Sequence, residues 1–228
     1  MANAAHNDGR VDGRASNEIR PLSSKQGALF RADGSARMAH GNTIVLAAVY
    51  GPGQAKSRRN ERPDRATIDV VFKLEKGMST SKEKEYEQVV RQTFEPIVMV
   101  EDFPRAVISV VVQVIEDSGS LLSVAINAVT LALMDAGVPM KSVVTASSCA
   151  VQQDGSLVLD PSTAEEDQAA AIVTSASSNA HPGVLTSIAS GVLSDEVFFA
   201  CLEACQRASD SIIAFVRLVQ QKKYGQGA

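Results

Sequence analysis

A chain of 228 residues, 45 % of them apolar, can bury a sizeable core, and its net charge of −4 argues against a protein that coats nucleic acid by bulk positive charge. Aromatic residues make up 4 % and tryptophan is absent, so the core must be built from Val, Ala, Leu and Ile, which suits sheets covered by Ala-rich helices. Three cysteines are too few and too scattered for a disulfide framework and point to a reducing compartment, while the lack of any signal-peptide or membrane-span pattern predicts the cytosol or nucleus.

Residues 1–15 are small, polar and charged, and read as a flexible N-terminal tail; 16–228 read as a single domain. Strands are predicted over Glu18-Ile-Arg-Pro-Leu22, Gly27-Ala-Leu-Phe-Arg31 and Ala36 to His40, with Ala32-Asp-Gly-Ser35 as a hairpin-type turn. Gly41-Asn42 turns into Thr43 to Tyr50, a run apolar on both faces and therefore a central strand. A basic loop over 54–65 leads to a strand at Thr67 to Leu74, a charged and flexible entry from Lys76 to Lys84, and a helix from about Glu85 to Val100. The β-branched run Val107 to Ile115 is a buried strand. Leu121 to Ala136 is a helix apolar almost all round, closed by Gly137 and Pro139. Short strands at 143–151, 155–159, 170–177 and 184–190 precede a last helix, about Asp195 to Gln221. Its acidic start and its end at Lys222 and Lys223 suit the helix dipole. The order predicts an α+β fold, mixed sheets packed with helices.

Cys201 and Cys205, four apart on that helix, read as two small core residues sharing a face; His6, His40 and His181 lack metal-ligand spacing with any cysteine. Three features carry possible chemistry. The turn Ser118, Gly119, Ser120 should present backbone N–H groups at a helix N-terminus, a natural seat for phosphate, although an ordinary capped helix has the same spacing. Asp160, Glu165, Glu166 and Asp167 form an acidic cluster; carboxyl groups there could donate a proton to a leaving oxygen or hold Mg²⁺, or simply favour a helix start. Basic residues Arg58, Arg59 and Arg62, then Lys73, Lys76 and Arg105, fit RNA phosphates bound with little sequence preference, or a solvated polar surface.

Asp12-Gly-Arg14, Glu18-Ile-Arg-Pro-Leu22, Gly34-Ser-Ala-Arg37, Gly41-Asn-Thr43 and Val49-Tyr-Gly-Pro52 resemble the opening of RNase PH proteins in order and spacing. Phe103-Pro-Arg105, the run from Val112 to Ser120, Asn127-Ala128, Asp135-Ala-Gly-Val-Pro139 and Gly155-Ser-Leu-Val-Leu-Asp-Pro161 continue the likeness, and Asp117 through Pro139 is most similar to eukaryotic exosome ring subunits. The resemblance implies an RNase PH-like fold of paired β-α-β-α units, a six-membered ring of related subunits, RNA as partner, and a nuclear (including nucleolar) and cytoplasmic location. It implies degradation of RNA from the 3′ end by inorganic phosphate, held by a Gly-Thr/Ser-Arg turn and a second arginine, with an aspartate near the leaving oxygen.

Carried over by position, Gly119 and Ser120 match the turn, but Leu121 stands in the place of its arginine. That removes a charge-assisted contact of about 1.5–3 kcal/mol. Lys82 matches the second arginine without its fork. Gln168 and Ser162 fall near aspartate positions, leaving Asp160, Glu166 and Asp167 as the catalytic candidates. These substitutions predict a ring subunit that binds RNA more than it cleaves it. The competing expectations are an autonomous nuclease, a possible homodimer acting on RNA or DNA, and a fold relative that binds only protein.

Overall fold

A computed structural model describes residues 10, 12–54, 62–76, 81–180 and 183–225. Its elements run β1 (Leu22–Gln26), β2 (Gly34–His40), β3 (Thr43–Gln54), β4 (Thr67–Lys73), α1 (Ser81–Phe94), β5 (Ala106–Glu116), α2 (Leu121–Asp135), β6 (Val144–Val151), β7 (Leu157–Leu159), α3 (Thr163–Gln168), β8 (Ala171–Ser178), β9 (Val184–Gly191) and α4 (Asp195–Tyr224). They form a five-stranded sheet, β1-β2-β3-β5-β4, and a four-stranded sheet, β7-β6-β8-β9. β4 and β5 are parallel because α1 carries the chain across between them; the other pairs are antiparallel. This is an α+β fold of two sheets packed on helices, as the sequence predicts.

The apolar helix α2 lies between the sheets, touching β2 and β3 on one side and β6 and β8 on the other. Every residue from Leu121 to Leu133 is buried, as an all-round apolar helix requires. Two of its polar side chains serve the second sheet. Asn127 donates to the Ala146 carbonyl and accepts from the Ala146 N–H, both at 2.9 Å, and Thr130 donates to the Val144 carbonyl at 2.8 Å. A buried amide paired on both ends fixes how β6 sits on α2, since a slipped register would leave it unsatisfied.

β3 is the central strand, as its two-faced apolar run predicts. β5 instead alternates, burying Ile108, Val110, Val112 and Val114 and leaving the other face partly open. α4 buries Cys201, Ala204, Cys205, Ala208, Ile212 and Val216, one stripe at helical spacing, so both cysteines are core residues on one face. Cys149 joins them in the same cluster, and all three thiols are free. No helix among the described residues is long and apolar enough to cross a membrane.

Several boundaries differ from the sequence reading: β3 continues past Tyr50 to Gln54 and α4 past Gln221 to Tyr224. The first strand is Leu22–Gln26, displaced from both 18–22 and 27–31, because its register pairs Leu22 with His40 and Gln26 with Ala36. Helix α1 begins at Ser81, inside the stretch expected to be flexible, and ends at Phe94, well before Val100. Within the stretch expected to be a tail, the Arg10 side chain is 3 % exposed and ion-paired to Glu165.

Candidate functional site

The bend between β5 and α2 is built from residues that cannot adopt ordinary helical entry. Gly119 has φ +98° and Ser120 has φ +55°, the left-handed region. A Cβ on Gly119 would lie 2.5 Å from the Pro161 carbonyl oxygen, so only glycine lets the bend meet the segment that leads into α3. The Thr163 N–H donates to the Ser118 carbonyl at 3.1 Å, and the Ser120 hydroxyl donates to the Pro161 carbonyl at 3.0 Å.

The three amides expected to face an anion each meet a side-chain oxygen of the chain. Ser118 N–H donates to Thr43 Oγ1 at 3.1 Å, Gly119 N–H to Asp117 Oδ1 at 3.2 Å, and Ser120 N–H to Glu166 Oε1 at 2.7 Å. The last is short and charge-assisted. Burial pushes the Glu166 carboxyl up; the Ser120 amide acts against this, and the negative charges of Asp117 and Asp160 add to it. Tyr86, edge-on to Phe72 at 5.3 Å, lies within the field of Asp117 and Glu166. Burial first, then those carboxylates, raise its phenol above the ordinary value.

Beneath the bend lies an ion pair. Asp160 is 3 % exposed and, like Ser120, holds a positive φ, +49°. Its Oδ1 accepts from Arg20 Nη2 at 2.6 Å, and its Oδ2 accepts from Arg20 Nε and the Arg20 backbone N–H, both at 2.9 Å. Arg20 also donates to the carbonyls of Ser118 and Gly119, both at 3.0 Å, and to Thr43 Oγ1 at 3.1 Å. Burial alone would raise Asp160, but the bonds and charge of Arg20 outweigh it and hold the carboxyl at about 2. His40, also buried, is driven down to about 4 by loss of solvent, and its Nε2 has no hydrogen-bond partner among the described residues.

The structure thus brings Ser118, Gly119, Ser120, Glu166 and Asp160 together, with Asp160 locked to Arg20 rather than facing outward. Asp167 is exposed on α3, and Lys82 is exposed in the first turn of α1. The basic candidates divide between two places. Lys73 ends β4, near the bend's end of β5, 3.7 Å from Glu83, and Lys76 pairs with Glu75 at 2.9 Å. Arg62 and Arg105 lie at the other end of β5, about 33 Å away at some 3.3 Å per strand residue. There the Arg105 N–H donates to the Arg62 carbonyl, and Arg62 pairs with Glu95 at 3.1 Å. Arg58 and Arg59 lie outside the described residues. One continuous basic groove is therefore not what the described residues form. Among them, no group of three or more His, Cys, Asp or Glu side chains is arranged to hold a metal ion.

Arg20, Thr43, His40 and Tyr86 were not marked as site residues by their types. The signal for Arg20 and Thr43 was that both sit in the motifs shared with RNase PH proteins, as does Asp160.

Residues 18–139 match the model of the 3′ exoribonuclease family, domain 1 (RNase PH). The chain is 41 % identical to the rice (Oryza sativa subsp. japonica) exosome complex exonuclease RRP46 homolog, covering 95 % of this chain and 97 % of that protein. It is 39 % identical to the Arabidopsis thaliana exosome complex exonuclease RRP46 homolog, covering 91 % and 94 %. The crystal structure of rice Rrp46 superposes with a TM-score of 0.87 at 42 % identity, over 93 % of this chain and 100 % of that one. An Archaeoglobus fulgidus exosome with RNA bound to the active site shares the fold, with a TM-score of 0.79 at 21 % identity, over 91 % and 92 %. The chain belongs to the RNase PH (3′ exoribonuclease) family.

Proposed function

We propose that this chain is an RNA-binding core subunit of an exosome complex, acting in 3′-to-5′ RNA processing and degradation and contributing little phosphorolysis of its own. It would stand among related subunits in a six-membered ring, as the counterpart of exosome component five, in the nucleus and cytoplasm. Support for the assembly comes from relatives named exosome subunits that match over nearly the whole chain.

The observation that carries the weak-catalysis half is the bend. Its Ser120 amide is already paired with the chain's own Glu166 at 2.7 Å, and the helix behind it opens with the apolar, buried Leu121. An incoming phosphate would meet a carboxylate and no guanidinium. Repulsion at that range opposes binding where an arginine would supply two parallel bonds. RNA contact falls to Lys73, Lys76 and Lys82 near the bend and to Arg62, Arg105, Arg58 and Arg59 beyond it, mainly through phosphates. A second reading, an autonomous nuclease that self-associates, draws on Glu166. A carboxyl raised by burial beside Asp117 is suited to hold a proton for a leaving oxygen, with Asp167 exposed nearby.

Incubating the purified chain with labelled single-stranded RNA, with and without phosphate and Mg²⁺, separates the two. Binding that weakens with salt and gives no product supports the ring subunit. Rapid phosphate-dependent release of nucleoside diphosphates would overturn it, and cleavage lost in Glu166→Ala with the chain a dimer by light scattering would favour the nuclease.

A further inference from the structure

Arg10 packs against the start of α3, beside the group that fills the bend. The guanidinium of Arg10 forks onto Glu165, with Nε to Oε1 at 2.8 Å and Nη2 to Oε2 at 2.9 Å. It also donates to the carbonyls of Leu159 at 3.0 Å and Asp160 at 3.2 Å. This paired geometry is the strong form of the Arg–carboxylate contact. Glu165 also closes a capping box, accepting the Ser162 N–H at 2.8 Å and the Ser162 hydroxyl at 3.1 Å. The next residue is Glu166, on Ser120. Helix α3 has six residues and buries none of them, so neither its own hydrogen bonds nor a core face fixes its rotation. The contacts at Glu165 do, together with the Thr163 N–H on the Ser118 carbonyl at the first residue of the helix. Burial and the charges of Asp117 and Asp160 oppose the Glu166 charge, and only the Ser120 amide and the more distant charge of Arg20 favour it.

We propose that Arg10 is a positioning residue: through Glu165 it keeps Glu166 over the Ser120 amide, so that the chain's own carboxylate occupies the bend in place of an external phosphate. This rests on the reading of the bend given under the proposed function and adds what keeps it shut. Losing Arg10 leaves Glu165 only its capping-box bonds to Ser162, loosens α3 and uncovers the amide for part of the time. The bend itself keeps its shape, because Arg20 still holds the Ser118 and Gly119 carbonyls.

The test uses the full chain labelled with ¹⁵N, following the Ser120 amide while inorganic phosphate is added. Wild type should bind phosphate weakly. Glu166→Ala should tighten binding about tenfold, the scale of one charge-assisted contact. Arg10→Ala should tighten it by a smaller factor, and the double variant should match Glu166→Ala alone, because Arg10 acts only through Glu166. In the absence of phosphate, the Ser120 amide should follow the Glu166 carboxyl as pH changes, and that inflection should shrink in Arg10→Ala while circular dichroism is unchanged. If Arg10→Ala fails to fold, Arg10→Lys and Glu165→Gln, which keep the bulk and lose the charged fork, carry the same comparison. Additive effects of Arg10→Ala and Glu166→Ala, no gain in phosphate binding by Glu166→Ala, or an inflection unchanged without Arg10 would each overturn the positioning role while leaving the ring-subunit reading intact. Tight phosphate binding by wild type would instead overturn the weak-phosphorolysis reading.

Discussion

Asp160 precedes α3 and Glu166 sits within it, yet the two carboxyl groups live in opposite surroundings. Asp160 is enclosed by Arg20, which meets both its oxygens and then reaches on to the bend's carbonyls. Glu166 has one backbone amide and two negative neighbours, and Arg20 reaches it only through its charge, with no hydrogen bond. The first is driven well below the ordinary carboxylate range and the second above its own. Groups pushed apart in this way divide labour: one holds the structure, the other is poised to change state. The bend's shape is thus secured from below by arginine, while its amide face is controlled from above by a group that can leave.

The largest expected effect follows from breaking the lower half. Asp160→Asn keeps the shape and removes the charge, leaving the Arg20 guanidinium buried without its anion. Removing one member of a buried pair costs about 3–5 kcal/mol. Urea unfolding should show a loss of that size, and a change within 1 kcal/mol would mean the pair is not a keystone. Acid should dissect the same region in two steps. His40 has a folded pKa near 4 against 6.5 when unfolded, so the folded state binds its proton later. The stability tied to His40 staying neutral is complete above pH 6.5 and is lost as pH falls from there through 4, on the order of 3 kcal/mol at 1.36 kcal/mol per unit. Asp160, at about 2 against 3.8, adds a later loss of about 2 kcal/mol between pH 4 and 2. His40→Gln should flatten the first step and keep a somewhat smaller second one, because charged His40 helps to hold Asp160 down, read as urea midpoints across pH; a first step that survives the substitution would assign it to another group.

Much of this arrangement was legible in the residues. The all-apolar run from Leu121 to Leu133 dictated a helix buried on every side, and the two-faced run of β3 dictated a central strand. The bend was legible too, since Ser118-Gly119-Ser120 before an apolar helix names a turn with free amides. Its occupant was not. Nothing in local spacing says that Glu166, far along the chain, closes on Ser120, or that Arg10 in a polar leader folds back onto Glu165. Long-range pairs between charged side chains leave no periodicity to read. The N-terminal arginines looked like solvated tail for the same reason, and β1 was misplaced because its edge position leaves only weak alternation to mark its register.

The smallest predicted effect sharpens the contrast most, because its sign is reversed. Glu166 has a raised folded pKa, so the folded state favours its protonated form. The stability this gives is complete below pH 4.5, the unfolded value, and is lost as pH rises through the folded one. At neutral pH the ionised group therefore weighs against the fold. Glu166→Gln keeps an oxygen able to accept the Ser120 N–H and removes the charge that Asp117 and Asp160 oppose. Stability at pH 7 should rise, by about 0.5 kcal/mol, the scale of a substitution near the surface. The gain should vanish at pH 4, where wild type is itself protonated. Measured beside Asp160→Asn, the two isosteric changes should move the urea midpoint in opposite directions. A loss at pH 7 for both would mean that Glu166, like Asp160, is a fixed strut, and that the amide of Ser120 is permanently closed.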